Sequence, residues 1–247
     1  MTVHFIGAGP GAPDLLTLRA AALLRSSPVC VYAGSLVPVE VLAHCPPDVR
    51  LVNTADLTLD EIVAEFAAAD GRSQDVARLC SGDPSVFSAV AEQARRLEAL
   101  GIDYDITPGV PAFAAAAAAL RHELTVPGVG QTVVLSRIAQ RATPMPPGEE
   151  LAELARLGTT LVLHLAVQAI DDVVADLVSH YPGGTPVAVV ANASRADETV
   201  LRGTLDDIAE QVHGAGIRRT AVIIVGQVLA ADGFRDSHLY SSGRDRG

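Results

Sequence analysis

The chain has 247 residues, of which 49% are hydrophobic, and carries a formal net charge of −11 at pH 7. This charge excludes the broadly basic surface with which proteins bind nucleic acid or anionic lipid. All 18 basic residues are Arg, so a P-loop lysine, a Schiff-base lysine and a lysine general base are excluded as well.

Cysteine and histidine patterns give no sign of a metal site. Cys30, Cys45 and Cys80 form no C-x-x-C pair, and the seven His residues form no H-E-x-x-H motif. We therefore expect reduced thiols, with Cys30 and Cys80 buried in strands, and no metal. The N-terminus lacks the basic and apolar segments of a signal peptide, and no apolar run reaches 18 residues. We expect a soluble, cytoplasmic protein.

Strand and helix patterns alternate from the first residue. In the first half, strands are predicted at 2–7, 28–33, 49–54, 75–80 and 102–107, and helices at 14–25, 38–44, 58–69, 84–100 and 111–120. Thr58 and Asp83 are expected N-caps, Pro84 a first helical residue and Gly101 a helix stop. This alternation predicts an α/β protein with a mostly parallel sheet and helices on its faces.

The second half repeats the alternation. Its predicted strands lie at 131–137, 159–166, 185–194, 198–204 and 220–229, and its predicted helices at 149–157, 168–179 and 205–213. A Pro- and Gly-rich stretch near 126–130 indicates a boundary. We therefore predict two α/β domains, 1–122 and 123–247.

The first predicted strand runs into the glycine-rich turn "GAGPGA". Gly7, Gly9 and Ala12 match the spacing of a dinucleotide-binding fingerprint. However, Pro10 has no N–H to donate to a phosphate, and the second strand ends without the acidic residue that would hold a ribose, since Glu40 lies well into the next element. The turn favours a ligand without a pyrophosphate, while a ligand-free structural turn remains an alternative.

Two further turns follow strands in the same way. "LCSGDPSVFSAV" (79–90) carries Ser81, Gly82 and Asp83, and "TPGVPAFAAAAAAL" (107–120) carries a second Pro/Gly turn. Because the carboxyl ends of parallel strands form the usual ligand-binding edge of an open sheet, all three turns are expected to meet there. A carboxylate at this edge suits either a cationic ligand or one that donates a hydrogen bond from an amine or hydroxyl.

These stretches, with "PVAVVANAS" and "TAVIIVG", resemble the S-adenosylmethionine-dependent tetrapyrrole (uroporphyrinogen-III/corrin) methyltransferases. "YAGSLVP" (32–38) and "ELTVPGVGQTVVLSR" (123–137) are similar to the branch that methylates C-11 of precorrin-4 in cobalamin biosynthesis. The resemblance implies two α/β domains with the active site in the cleft between them, the tetrapyrrole methylase fold. It also implies a homodimer, S-adenosyl-L-methionine as cofactor and S-adenosyl-L-homocysteine as product.

Within this resemblance, the N-terminal domain holds the cofactor loops and the substrate, and the C-terminal domain completes the cofactor pocket. The implied cofactor-binding residues are Pro10, Ser81, Gly82, Asp83, Val86, Pro111, Ala112, Leu165, Ala193, Thr220 and Ala221. Pro111 stands where many relatives have Thr or Ser, so a hydroxyl contact is not offered there. Leu165 stands where several have Met, a swap that keeps an apolar wall.

The substrate would be a tetrapyrrole with many carboxylates, and this acidic chain must gather Arg locally to bind it. Candidate substrate-binding residues are Tyr32, Ser35, Arg121, His122, Arg137 and Arg141. No catalytic residue is assigned. Alternatives are a cobalt-bearing substrate, methylation of another ring carbon, an RNA- or protein-modifying relative, an NAD-linked oxidoreductase and a nucleotide sensor. We expect no nucleic-acid or membrane partner.

Overall fold

The computed structural model describes residues 1–139, 144–234 and 236–237. The chain forms two compact units, each built around its own five-stranded sheet. Met1–Ala115 and the short segment Ser194–Ala196 make up the first unit, and Ala116–Ala193 and the residues from Asp197 onward make up the second. The α/β class predicted from the alternating pattern is confirmed.

The first unit contains the strands β1 Thr2–Gly7, β2 Val29–Tyr32, β3 Arg50–Asn53, β4 Val76–Cys80 and β5 Asp103–Thr107. Its helices are α1 Leu18–Ser26, α2 Val39–Leu42, α3 Leu59–Asp70, α4 Val90–Leu100 and the start of α5 Ala112–Leu120. The strands lie in the order β3-β2-β4-β1-β5, and every pairing is parallel. All five carboxyl ends therefore lie along one edge, as the sequence predicts.

The central strands of the first sheet are buried on both faces. Val3 and Phe5 of β1 enter one apolar cluster, while Ile6 of the same strand enters a second. In β2, Val31 belongs to the first cluster and Cys30 to the second. Strands covered on both faces need apolar residues at successive positions, which explains why they read as continuous apolar runs.

Helix ends in the first unit confirm two predictions. Thr58 accepts a hydrogen bond from the Glu61 N–H, and the Glu61 carboxylate accepts from the Thr58 N–H, so the two form a capping box at the start of α3. Gly101 ends α4 with φ of +68°, a conformation that favours glycine.

Cys30 and Cys80 are buried free thiols, as predicted, and Cys45 is half-buried. Burial raises the pKa of Cys80 to about 11, although the neighbouring Arg78 opposes the effect. The Cys80 thiol is therefore protonated at neutral pH and packs as an apolar group.

The second unit contains β6 Val133–Arg137, β7 Thr160–His164, β8 Pro186–Ala191, β9 Thr199–Thr204 and β10 Ala221–Val225. Its helices after α5 are α6 Leu151–Ala155, α7 Ile170–Leu177 and α8 Ile208–Gly214. The order is β6-β7-β10-β8-β9, in which only β6 and β7 pair in parallel.

This mixed sheet differs from the mostly parallel sheet that the alternation predicts. The connection from β8 to β9 is too short for the crossover that a parallel neighbour requires, so the two strands form an antiparallel pair. β10 then enters between β7 and β8, antiparallel to both. Nothing in the apolar pattern of β10 distinguishes its direction.

No helix within the described residues is long and apolar enough to cross a bilayer.

Candidate cofactor-binding site

The glycine-rich turn after β1 is tied to the turn after β4 by its backbone. The Ala8 N–H donates to the Cys80 carbonyl at 2.8 Å. Gly9 and Gly82 exchange two hydrogen bonds, of 3.1 Å from the Gly9 N–H and 2.8 Å from the Gly82 N–H. The N–H groups of Ala8 and Gly9 are therefore bonded to the end of the neighbouring strand β4 and the turn that follows it.

The rest of the turn offers little to an anion. Pro10 is buried and has no N–H, and the Ala12 N–H donates to the Ser194 hydroxyl at 3.0 Å. A phosphate cradle needs several backbone N–H groups that converge on the anion. With these donors bonded or missing, the turn does not form such a cradle, which agrees with the expectation of a ligand without a pyrophosphate.

Two glycines, Gly7 and Gly109, let the three turns meet at backbone contact. A Cβ on Gly7 would lie 2.5 Å from the Gly109 Cα and 2.8 Å from the Gly82 carbonyl oxygen. A Cβ on Gly109 would lie 2.7 Å from the Gly7 Cα. Real Cβ atoms do not tolerate such distances from backbone, so side chains are excluded at the centre of this edge.

Asp83 joins the second turn to the third. Its carboxylate accepts from the Gly109 N–H at 2.8 Å and from the Ser85 N–H at 2.8 Å, and it also accepts from the Ser85 hydroxyl. Burial raises the pKa of Asp83, but the hydrogen bonds from Ser85 and Gly109 outweigh burial and leave the pKa below its ordinary value. Asp83 is therefore anionic at neutral pH.

The prediction that Asp83 caps a helix starting at Pro84 is wrong. The helix α4 begins only at Val90, and the residues before it form turns. The Asp83 carboxylate accepts from the nearby Ser85 N–H and from Gly109 of a distant turn, but no helix follows until Val90.

The turn that replaces the predicted helix start is held by Ser88 and contains Val86. The Ser88 hydroxyl donates to the carbonyls of Asp83, at 3.0 Å, and Val86, at 3.1 Å. Phe87 and Ala89, on either side of Ser88, both have φ of +51°. Left-handed backbone in residues other than glycine costs about 1–3 kcal/mol and clusters at functional sites.

Pro111 and Ala112 lie against the second turn. A Cβ on Gly82, which has φ of +68°, would lie 3.5 Å from the Ala112 nitrogen and 3.6 Å from the Pro111 Cα. Ser81, which directly precedes Gly82, is half-buried. The predicted cofactor-binding residues 81–83 and 111–112 thus lie together at the same edge of the first sheet as the Gly9 turn.

In the second unit, strand register gathers the four remaining predicted cofactor residues. Ile223 pairs with Leu163, and Ala221 pairs with Ala191. Leu165 lies two residues after Leu163, and Ala193 lies two residues after Ala191. Because β10 runs antiparallel to both strands, both residues lie at the sheet edge where β10 begins. Ala221 is the first residue of β10 and Thr220 precedes it, so both lie at the same edge.

Backbone conformation marks the same edge. Leu165 has φ of +54° and is 57% exposed, and Thr220 also has φ of +54°. Asn192, whose N–H donates to the Thr220 carbonyl at 2.9 Å, has φ of +51°. An exposed leucine held in left-handed backbone gains nothing from packing, which suggests a role in binding.

His164 ends β7 immediately before Leu165. Burial lowers the pKa of His164, so the imidazole is neutral at physiological pH. Within the described residues, no group of three or more His, Cys, Asp or Glu side chains is placed to hold a metal ion.

The structure distributes the substrate candidates over both units. Tyr32 ends β2, and its carbonyl accepts from the Thr54 N–H at 2.9 Å; Ser35 lies in the adjacent 3₁₀ turn Gly34–Leu36. Arg121 is exposed just after α5 with φ of +57°, and His122 follows it.

Of the remaining two arginine candidates, Arg137 lies within the described residues and Arg141 does not. The Arg137 guanidinium donates to the carbonyls of Ile138, at 3.0 Å, and Pro144, at 3.2 Å. Some of the Arg137 N–H groups are therefore already bonded to its own loop. Arg141 lies outside the described residues. None of these contacts tests a role in substrate binding, so that role stays a prediction.

Sequence reasoning missed two residues at the first edge. Ser194 accepts from the Ala12 N–H, and the side chain of Arg195 covers Gly11 and donates to the Leu36 carbonyl at 3.0 Å. They belong to the short segment that the second half of the chain contributes to the first unit. No local pattern in "ANASRAD" indicates that these residues belong to the first unit.

The family model for tetrapyrrole (corrin/porphyrin) methylases matches residues 2–209. A precorrin-4 C(11)-methyltransferase from Rhodococcus erythropolis is 60% identical over 246 residues, which cover 100% of this chain and 99% of the relative.

Two solved structures are also similar. A cobalt precorrin-4 methyltransferase has a TM-score of 0.89 and 37% identity, and the match covers 92% of this chain and 95% of that one. A uroporphyrin-III C-methyltransferase from Thermus thermophilus, in complex with S-adenosylhomocysteine, has a TM-score of 0.79 and 28% identity, and the match covers 93% of each chain. The chain therefore belongs to the tetrapyrrole (corrin/porphyrin) methylase family.

Proposed function

We propose that the chain transfers a methyl group from S-adenosyl-L-methionine to C-11 of precorrin-4, giving precorrin-5, in cobalamin biosynthesis. The observation that carries this proposal is the 60% identity to a precorrin-4 C(11)-methyltransferase along the full length of both chains. Identity to the cobalt-precorrin-4 methyltransferases compared is lower, at 37–44%. We therefore favour the cobalt-free substrate over its cobalt-bearing counterpart.

The first edge has the chemistry that this cofactor requires. When bound, S-adenosylmethionine supplies an electrophilic methyl group on a cationic sulfonium and carries no phosphate. The N–H groups of Ala8, Gly9 and Ala12 donate to other groups of the protein and Pro10 has no N–H, so these positions need no phosphate to satisfy them. The anionic Asp83 carboxylate favours a cation. The residues present therefore fit the cofactor.

The family resemblance assigns the cofactor to two sets of residues. The first set is Pro10, Ser81, Gly82, Asp83, Val86, Pro111 and Ala112, and the second is Leu165, Ala193, Thr220 and Ala221. Backbone groups dominate the first set, and Leu165 gives the second an apolar wall. Pro111 has neither a hydroxyl nor an N–H, and its carbonyl accepts from the Ala114 and Ala115 N–H groups, so we assign it an apolar contact only.

The chain's contribution to catalysis is orientation and exclusion of water. Holding two reactants in a productive geometry is worth about 7–11 kcal/mol of barrier. The rigid contact of three glycine turns supports this role, since it fixes the floor of the site without flexible side chains. We assign no catalytic base.

Substrate binding is assigned to Tyr32, Ser35, Arg121, His122, Arg137 and Arg141. Arg binds carboxylates bidentately, and a tetrapyrrole carries several carboxylates. We further propose a cytoplasmic homodimer without nucleic-acid or membrane partners, in accord with the acidic net charge of −11.

The decisive experiment is incubation of the purified chain with precorrin-4 and S-adenosylmethionine, followed by NMR location of the new methyl group. A methyl group on C-11 is the expected result. A methyl group on another ring carbon would overturn the branch while leaving the family intact. Parallel reactions with cobalt-precorrin-4 decide between the two substrates by their kcat/KM values.

A binding experiment separates this proposal from a nucleotide-binding one. A ligand at 100 times its Kd raises the free energy of unfolding by about 2.7 kcal/mol. We expect S-adenosylhomocysteine to raise the Tm and NAD to leave it unchanged. Stabilisation by NAD alone would contradict the proposal.

A further inference from the structure

A three-residue segment of the second half of the chain belongs to the first unit. Ser194–Ala196 lies in the connection between β8 and β9. The base of this connection is closed by Asn192, whose side-chain amide donates to the Asp197 carboxylate at 2.9 Å. Asn192 and Ser194 both have positive φ, of 51° and 69°. The segment is therefore a short, conformationally defined projection.

Arg195 of this segment contacts two different turns of the first unit. Its side chain covers Gly11, where an added Cβ would overlap the Arg195 Cγ and lie 2.8 Å from its Nε. Its Nη2 donates to the Leu36 carbonyl at 3.0 Å. Gly11 is in the glycine-rich turn, and Leu36 ends the 3₁₀ turn that contains Ser35. One side chain thus touches a candidate cofactor turn and a candidate substrate turn.

The Arg195 guanidinium is not placed by hydrogen bonding alone. Its Nε is buried and has no hydrogen-bond partner in the part of the chain that the structure describes. A buried donor without a hydrogen-bond partner is destabilising. The packing against Gly11 and the bond to Leu36 together hold the side chain there despite this cost.

We propose that Arg195 is a positioning residue that links occupancy of the Gly9–Ala12 turn to the conformation of the Gly34–Leu36 turn. The inference rests on the proposed function, because it takes the first turn as part of the cofactor site and the second as part of the substrate site. A ligand that fixes the Gly9–Ala12 turn fixes Gly11 and hence the side chain that covers it. The Leu36 carbonyl, held by that side chain, is then fixed in turn.

Amide hydrogen exchange read by mass spectrometry tests the link without any tetrapyrrole. Leu36 and Val37 donate within their own turn, to Ala33 and Gly34, so their exchange reports opening of that turn. Saturating S-adenosylhomocysteine should slow their exchange in the wild type by at least about fivefold, the lower end of usual coupling between two sites.

Two substitutions of Arg195 separate the link from mere packing. R195M keeps the aliphatic cover over Gly11 but has no donor for the Leu36 carbonyl, so the ligand-induced slowing should disappear. R195K keeps a donor and should retain part of it. Arg156→Met, at an exposed arginine that pairs with Glu153, is the matched control and should behave as the wild type.

Each variant is measured at a ligand concentration that calorimetry shows to be saturating, so that weaker binding does not imitate loss of the link. If R195M binds S-adenosylhomocysteine and still shows the full slowing at Leu36 and Val37, the inference is wrong. The same holds if the ligand binds the wild type without slowing these amides. Failure of the wild type to bind the ligand at all would instead overturn the proposed function.

Discussion

The two units build their candidate site edges by opposite means. In the first unit, Gly7 and Gly109 have no side chains, so their two turns meet each other and the Gly82 carbonyl backbone to backbone. In the second unit, Leu165 and Thr220 keep their side chains and accept left-handed backbone instead. Glycine gives close approach without strain, whereas a strained residue with a side chain supplies a wall. The contrast suggests that the first edge is a rigid floor and the second a set of contacting side chains.

The largest expected effect tests the rigid floor. Gly109→Ala would place a Cβ against the Gly7 backbone, and we expect it to lower the free energy of unfolding by about 3 kcal/mol or more, because backbone at this contact cannot rotate away. Urea denaturation measures the loss. Gly184→Ala, where an added Cβ meets nothing within 4 Å, is the control. Equal stability of the two variants would show that the floor is not tightly packed.

A smaller effect tests the carboxylate that joins two turns of this floor. Asp83→Asn weakens the bonds from Gly109 and Ser85, and we expect a loss of about 2 kcal/mol at pH 7, as for hydrogen bonds to charged groups. Since the pKa of Asp83 is lowered in the fold, its contribution is complete above the ordinary aspartate pKa and is lost as pH falls through the folded value.

The measurement for Asp83 is chemical denaturation of both proteins over a range of acidic pH. The difference between wild type and D83N should narrow as pH falls below the ordinary aspartate range. A difference that stays constant down to the lowest pH would mean that the charge of Asp83 does not contribute.

The second edge is tested by relieving its strain. Leu165→Gly should raise the free energy of unfolding by about 1 kcal/mol, because φ of +54° costs leucine but not glycine, and the exposed side chain gives up little burial. The same variant should bind S-adenosylhomocysteine more weakly, because the apolar wall is gone. Leu165→Ala should weaken binding without the gain in stability. If Leu165→Gly binds as tightly as the wild type, Leu165 is not part of the cofactor site.

The smallest effect concerns the buried imidazole beside Leu165. Burial lowers the pKa of His164, so the unfolded chain takes up a proton before the folded one does. Stability is therefore complete above the ordinary histidine pKa and declines as pH falls below it, by at most about 1.4 kcal/mol per pH unit. The Tm of the wild type should fall more between pH 7.5 and 5.5 than that of His164→Asn. Parallel falls would show that His164 is not responsible.

Sequence reasoning located most elements because the signals are local. The Thr58 capping box and the Gly101 stop depend on residues within one helical turn, and both are confirmed. The start of α4 was mispredicted because Asp83 and Pro84 are good local helix-start residues. The Asp83 carboxylate accepts from the N–H of Gly109, which is distant in sequence, and a local pattern contains no information about that contact.

By itself, the sequence determined the α/β class, the succession of strands and helices, and a glycine-rich edge unsuited to phosphate, because periodicity, glycine and proline act through the backbone of their own neighbourhood. Only the tertiary structure decided the antiparallel place of β10, the meeting of Gly7 with Gly109 and the projection of Arg195 onto Gly11. These depend on which distant segments pack together. Packing is settled by shape and hydrogen-bond satisfaction over the whole chain, which no short stretch encodes.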